Sequence, residues 1–459
     1  MKAGRFEISG GLGDGLIKFI LDDVHRLLGE VGLEIDHPEI VKELSDHEGV
    51  TVNDGRVCYS AELVEKARSQ VATEDTNYYM QKEGETEFGI QPPFSPFNVI
   101  DARTGEVRPA CDRDVVEGAR LYDALGSRGP VHVHIADMDQ KVAQVHIARL
   151  CCENSRAIGN WAPAYSYDQA MCIRDMFAAA GRPEPYVALQ MTHSPMRLDA
   201  YFLDILWKGR ETEAGNRGIT GGGGAMPQAG VSAPVYWRTA AAQGLAEALG
   251  AWVTIKLIDP SVHPYASFLA ELTDMSTAMG GSKAPESLSF ALLGRHLMRE
   301  LLGLTMAAHA GDLNEMLLWG LQGVRVFAGG GIGEEIFSLA RTVIDREKIA
   351  YVESSLAGVE FPEEEGLAAR IVSETLPQTS FLMHDSTLEF RQIHSEPRLF
   401  KEMMPAKLAP LLRDDSDELT APANAIAAEL IRTNEFCLDD DAAREVEAIY
   451  ERGVKVLTS

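Results

Sequence analysis

Tyr186-Val-Ala-Leu-Gln-Met191 is a short apolar run set off by turn-forming residues, with Pro183 and Pro185 before it and Ser194-Pro195 after it. Seven more runs of this kind follow one another from Asp114 onward, at 131–136, 156–161, 217–220, 252–258, 304–308, 324–328 and 379–383. At least one helical pattern separates each from the next. An alternation of strand and helix repeated eight times predicts an α/β fold of the closed (β/α)8 TIM barrel type, because an open parallel sheet uses fewer strands. Gly221–Gly224 interrupts the fourth run. Two helical patterns, at 334–356 and 363–375, precede the last run and imply an insertion there.

The flanks read differently. Two amphipathic segments, at 15–31 and 38–47, precede Val50-Thr-Val-Asn-Asp-Gly-Arg-Val-Cys-Tyr59. Its two β-branched runs flank Asn53-Asp54-Gly55, a hairpin signal. Ser60 caps a third helix running to Val71. The expected organisation is an N-terminal helical layer with a β-hairpin over 1–112, a barrel over 113–391, and a C-terminal helical extension over 392–459.

The chain has 459 residues, 69 acidic and 42 basic, for a net charge of −27. Hydrophobic residues make up 45% and charged residues 24%, the balance of a soluble globular protein with ample core. The acidic surplus argues against nucleic acid or an anionic membrane surface as partner, since both need clustered Lys and Arg. No run of 18 apolar residues exists to span a bilayer. The N-terminus lacks the apolar stretch of a secretory signal. The six Cys include no Cys-x-x-Cys, and adjacent Cys151 and Cys152 cannot share an unstrained bridge. A reducing cytoplasm is the expected setting.

In a barrel, chemistry belongs at the C-terminal ends of the strands. The polar and aromatic groups there are Asp137, Asn160, Trp161, Gln190, Thr192, His193, Met226, Gln228, Asp259, His309, Phe327, His384 and Asp385. Three His at separate strand ends (193, 309 and 384), or His132 and His134 on one face of the first run, offer zinc ligands in a metal-dependent hydrolase. Gly329-Gly-Gly-Ile-Gly333 follows a strand, but Glu334 and Glu335 begin the next helix and oppose a bound phosphate. Gly221–Gly224 has no Lys-Ser or Lys-Thr after it and is no P-loop. No Gly-x-Ser-x-Gly elbow is present. Trp161, Tyr165, Tyr167, Tyr236 and Trp237 fall near loops, where aromatic faces can hold a quaternary ammonium without hydrogen bonds.

Several stretches, in order along the chain, resemble the trimethylamine methyltransferase-like superfamily. They are Leu27-Leu-Gly-Glu-Val-Gly-Leu-Glu-Ile35, Arg56-Val-Cys-Tyr-Ser-Ala-Glu-Leu-Val-Glu-Lys-Ala67 and Asp101-Ala-Arg-Thr-Gly-Glu-Val-Arg-Pro109. Met226-Pro-Gln-Ala-Gly-Val-Ser-Ala-Pro234, with Glu247 behind it, continues the series. Asp274-Met, Gly281-Ser and Pro285-Glu286 follow, then Ile344-Asp-Arg-Glu-Lys-Ile349 and Ser380-Phe-Leu-Met-His-Asp-Ser-Thr-Leu-Glu-Phe-Arg391. Two departures stand out: Ser386 replaces a common His, and the segment 305–314, where trimethylamine enzymes carry pyrrolysine, is short. Every residue is one of the standard twenty.

The resemblance implies a non-pyrrolysine, glycine betaine methyltransferase-like enzyme. Such an enzyme moves a methyl group from a quaternary amine to the Co(I) of a corrinoid (cobalamin) carried by a partner protein. No tightly bound cofactor of its own is expected, and association into a homo-oligomer is. The expected site has His309 and His384 as catalytic, orienting groups. Trp161, Tyr165, Gln190, Tyr236, Trp237, Asp274, Phe327 and Glu335 are the expected substrate contacts. The alternatives are the metal-dependent TIM-barrel hydrolase and a catalytically silent barrel that binds a quaternary amine.

Overall fold

The computed structural model describes residues 2–4, 12–71, 80–82, 87–93, 95–127, 129, 131–157, 164–184, 186–213, 215–274, 285–333, 335–361, 364–376, 380–389 and 417–459. Its N-terminal part forms as its sequence signals demand. Helix α1 (Asp14–Arg26) buries Ile20 and Val24, spaced four apart on one face. Strands β1 (Leu33–Ile35), β2 (Val50–Asn53) and β3 (Arg56–Tyr59) form a small sheet beside helix α2 (Pro38–Ser45). β2 and β3 pair antiparallel with Asn53 opposite Arg56. Asp54 (φ 49°) and Gly55 (φ 78°) both take the left-handed conformation that this tight turn requires. Ser60 Oγ accepts from Leu63 N (3.4 Å) at the start of helix α3 (Ala61–Val71).

The central part is a mixed α/β fold with several small sheets. One group of parallel strands runs β9 (Tyr265–Phe268), β8 (Ile219–Ala225) and β5 (Val187–Gln190). A second runs β11 (Ala308–His309), β12 (Val326–Ala328) and β4 (Gly89–Gln91), with β10 (Leu304–Met306) just before β11. Ile135 makes one parallel bridge to Ala110. Among the described residues no hydrogen-bonded sheet closes on itself, so the closed barrel expected from sequence is not seen as one sheet.

Helices α4 (Asp112–Ala124), α5 (Gln140–Asn154) and α6 (Tyr167–Ala179) follow one another with no strand between them among the described residues, and α7 (Ala200–Gly209), α8 (Trp237–Ile258), α9 (Pro285–Leu302), α10 (Leu313–Leu321) and α11 (Leu339–Leu356) alternate with the strands. Helices α12 (Leu367–Thr375), α13 (Asp385–Glu389), α14 (Asp417–Thr433) and α15 (Asp440–Thr458) follow. α14 packs on α11 and α4, and α15 on α5 and α6. No described helix is both long and apolar enough to cross a membrane.

Several sequence expectations need correction. The run 131–136 is coil apart from the single bridge at Ile135, and the helix expected from Glu334 begins at Leu339. The run 252–258 is the last two turns of α8, not a strand. This helix is buried almost all round, so its apolar residues read as a continuous run that mimics a strand. It ends at Asp259, before Pro260, where the ring disfavours continuation. The strand belonging to this region is β9, whose Tyr-Ala-Ser-Phe sequence gives little apolar signal. Residues 380–383 are coil and turn, with Leu382 and Met383 exposed. Finally, Gly221–Gly224 do not interrupt their run but lie inside β8. A Cβ on Gly222 would run into the Tyr265 carbonyl, and one on Gly223 into the Ala248 backbone of α8. Glycine is what lets strand, neighbouring strand and helix approach so closely.

Candidate functional site

A cavity of about 510 Å3 opens over the C-terminal ends of the parallel strands. Gln91 comes to it from β4, Ala188 and Gln190 from β5, Gly224 and Ala225 from β8, and Tyr265 and Ser267 from β9. Met306, Ala308 and His309 come from β10 and β11, and Ala328 from β12. Alternate residues face it because side chains along a strand alternate between faces. Cross-strand hydrogen bonds hold the wall: Gln190 Nε2 donates to Gly224 O (2.9 Å), Tyr265 Oη to Leu189 O (3.1 Å), and Ser267 Oγ to Gly223 O (3.3 Å).

A short hairpin, β6 (Thr192–His193) and β7 (Arg197–Leu198), follows β5 and forms part of the rim. β7 pairs in parallel with β1, so the N-terminal sheet continues into the mouth of the cavity. Arg56 Nη2 reinforces this by donating to Met196 O (2.8 Å) and Gly32 O (2.8 Å). From α8, fully buried Glu247 accepts from Ser194 Oγ (2.6 Å), Met196 N (2.8 Å) and Gln243 Nε2 (2.8 Å). Burial pushes its carboxyl above the usual range, an effect the three donors oppose. The hairpin so braced carries His193, whose Nε2 meets Asp199 Oδ2 at 2.8 Å, and both residues line the cavity. Asp199 also caps α7, its Oδ1 accepting from Tyr201 N (2.8 Å).

Arg295 reaches the cavity wall from α9. Its Nη1 donates to Met306 O (2.6 Å) and Ala307 O (3.2 Å), and its Nη2 to Ala307 O (3.2 Å). The guanidinium lies over the Trp319 ring, 4.8 Å from its centroid. Burial lowers its pKa to about 10, against the field of Glu271.

Of the ten residues expected from sequence, Tyr165, Gln190 and His309 line this cavity. Trp161, like Asn160, lies outside the described residues. Phe327 is fully buried on the opposite face of β12 and stacks on Phe88, centroids 6.4 Å apart. Tyr236 precedes α8, exposed, and Trp237 turns towards α9, its Nε1 donating to Phe290 O (3.2 Å). Asp274 is half-buried and Glu335 exposed, both outside the lining. His384 stands between α12 and α13, bonded to Ser386 Oγ (2.8 Å) and Glu374 Oε2 (3.2 Å), and is not part of the wall.

Thr192, His193 and Met226, named from sequence only as strand-end groups, do line it. Asp259 does not, because it ends a helix and binds Ser261 N (2.9 Å) and Asn216 Nδ2 (2.8 Å). Arg295 gave no sequence signal, since one Arg in a helical pattern reads as a solvent-facing residue.

For the zinc alternative, His132 is buried and held neutral down to about 3, while His134 meets Gln144 Nε2 (3.3 Å) and stacks on Phe97. Among the described residues no three His, Cys, Asp or Glu converge as metal ligands would. The Gly-rich turn after β12 is occupied internally, with Gly330 N donating to buried Asp345 Oδ2 (2.9 Å).

The family model described as Trimethylamine methyltransferase (MTTB) matches residues 10–447. No curated protein matches the chain. Among solved structures, the crystal structure of HydG, a maturase of the FeFe-hydrogenase, is similar at 10% identity. That alignment covers 96% of this chain and 97% of that one with a TM-score of 0.37, too low to carry over fold or chemistry.

Proposed function

The chain belongs to the trimethylamine methyltransferase family, and from that premise we propose that it moves a methyl group from a quaternary, glycine betaine-like amine to the Co(I) of a corrinoid held by a partner protein. The cavity carries this reading: it is largely apolar, sized for a small ligand, and sits at strand ends. A quaternary ammonium has no N–H to donate, so only aromatic faces and diffuse negative charge can hold it. Tyr165 and Tyr201 supply the faces, and Asp199 supplies the charge, tempered by His193. Tempering suits the chemistry, because the substrate's positive charge disperses as the C–N bond breaks. A bare carboxylate would stabilise the bound substrate more than the transition state.

In-line displacement needs nitrogen, methyl and acceptor aligned and dry. Gln190 and His309 are positioned to orient the substrate, and no residue has to act as a base. With only the standard twenty residues available, a substrate that already carries a cationic leaving nitrogen fits this chain. Exposed apolar side chains on the loop before α8, Val235 and Tyr236, suit a docked corrinoid protein.

We read the two parallel groups as parts of one (β/α)8 barrel that starts at β4, inside the stretch 1–112. Each of α4 and α7 to α11 then follows one strand, and α5 follows 131–136, where Ile135 makes its single bridge. A cytoplasmic setting fits six free cysteines.

The test is the absorbance of Co(I) cobalamin incubated with the protein and a panel of methylated amines. Protein-dependent conversion to methyl-Co(III) with glycine betaine or a close analogue is expected. No conversion with any amine, and none when corrinoid proteins are supplied, would sink the reading.

A further inference from the structure

We propose that Arg295 selects the substrate by taking a carboxylate on the edge of its guanidinium that the protein leaves unpaired, so that the ligand is a carboxylate-bearing compound. A guanidinium has five N–H groups in a fixed fork. Arg295 spends three: Nη1 on Met306 O and Ala307 O, and Nη2 on Ala307 O. Ala307 O is thus shared by both terminal nitrogens and occupies the outer end of the fork.

The side edge remains, made of Nε–H and the second Nη2–H. Nε is buried and has no hydrogen-bond partner among the described residues, in a side chain only 7% exposed. This edge has the two parallel donors that match a carboxylate's two oxygens. A buried donor left without an acceptor costs free energy. Its place on the wall of the cavity gives a ligand the means to remove that cost.

Charge leads to the same ligand. Arg295 is a cation buried in the wall of a site whose proposed substrate is also cationic. A tetraalkylammonium with no anionic group would add a second positive charge to an apolar enclosure. A zwitterion brings its own carboxylate to Arg295 and leaves its ammonium for Tyr165, Tyr201 and the His193–Asp199 pair. That pair follows β5, whereas Arg295 is held by the carbonyl that ends β10 and the one after it, so the two ends of the ligand have separate receptors. The ammonium end rests on the methylamine reading above, whereas the carboxylate end does not.

Calorimetric titration of the full chain with four compounds separates the two. Glycine betaine carries both groups, choline and tetramethylammonium only the cation, and 3,3-dimethylbutanoate only the carboxylate on the same carbon skeleton. Glycine betaine is expected to bind about tenfold to a hundredfold tighter than choline, the range for a hydrogen bond to a charged group. Arg295→Gln should erase that preference while choline affinity holds or rises as the buried positive charge is removed, which also shows that the cavity is intact. Arg295→Lys, which keeps the charge but loses the fork, should restore only part of it.

Equal binding of glycine betaine and choline to the native protein overturns the proposal, as does an equal loss of both in Arg295→Gln. Should Arg295→Gln fail to fold, the preference of the native protein decides. Binding of 3,3-dimethylbutanoate that depends on Arg295, with none of the three ammonium compounds converted, would keep the carboxylate site and reject the methylamine reading.

Discussion

His309 and His384 both stand just after an apolar run in the sequence, yet the fold gives them different surroundings. His309 ends β11 and faces the cavity. His384 is tied to Glu374 and Ser386 on the α12–α13 segment, away from it. His309→Ala should therefore lower kcat/KM for the methylated amine by about tenfold or more, whereas His384→Ala should leave it within about twofold. Steady-state kinetics on the two variants decides, and equal losses would count against the site as drawn.

Tyr165, Gln190 and His309 could be found from sequence because strand ends and loop aromatics are local signals. Arg295 could not, because its role depends on two carbonyls eleven and twelve residues on and on a cavity assembled from distant strands. Phe327 was one residue off. In a two-residue period that single step moves a side chain to the other face, and Ala328 is the one that lines the cavity.

At the scale of the element, β8 and α8 show how packing overrides a local pattern. Four consecutive glycines ordinarily suggest a loop, and an apolar run of seven suggests a strand. Here the glycines form the strand and the run finishes a helix, because the helix lies so close to the strand that a Cβ would collide with backbone. Gly222→Ala should cost about 1–3 kcal/mol as overpacking against an immobile carbonyl, seen as a lowered thermal midpoint. Gly15→Ala, in α1 with nothing within 4 Å of the new methyl, should instead be neutral or gain up to about 1 kcal/mol. A loss at Gly15 as large as at Gly222 would remove the collision as the explanation. The Asn53-Asp54-Gly55 hairpin and the Ser60 cap formed where expected, since each is settled within a few residues and leaves packing little to overrule.

On the scale of the whole molecule, the site draws on both halves of the chain. β4, from the first hundred residues, pairs with β12, more than two hundred residues later. β1 extends through β7 to the cavity rim. Tyr236, 75% accessible, stands on the loop leading into α8. If a corrinoid protein docks there, Tyr236→Glu should weaken methyl transfer to that protein about tenfold while leaving glycine betaine affinity within about twofold. Calorimetry and transfer assays run side by side test this. A loss of amine binding in the variant would place Tyr236 inside the substrate site instead.

The sequence alone determined the family, since ordered short motifs survive without any knowledge of contacts. It also determined the acidic character of the chain and the places of most of its helices. Those properties are local or additive along the chain. Which runs become strands, which strand neighbours which, and which polar groups meet in the cavity were decided by tertiary structure. Burial erases the periodicity that tells helix from strand, and pairing between distant segments leaves no mark in either one. Arg295 shows the difference best: as a residue of α9 it is ordinary, and only the fold brings the carbonyls of 306 and 307 to two of its nitrogens and leaves the buried third, Nε, without a partner.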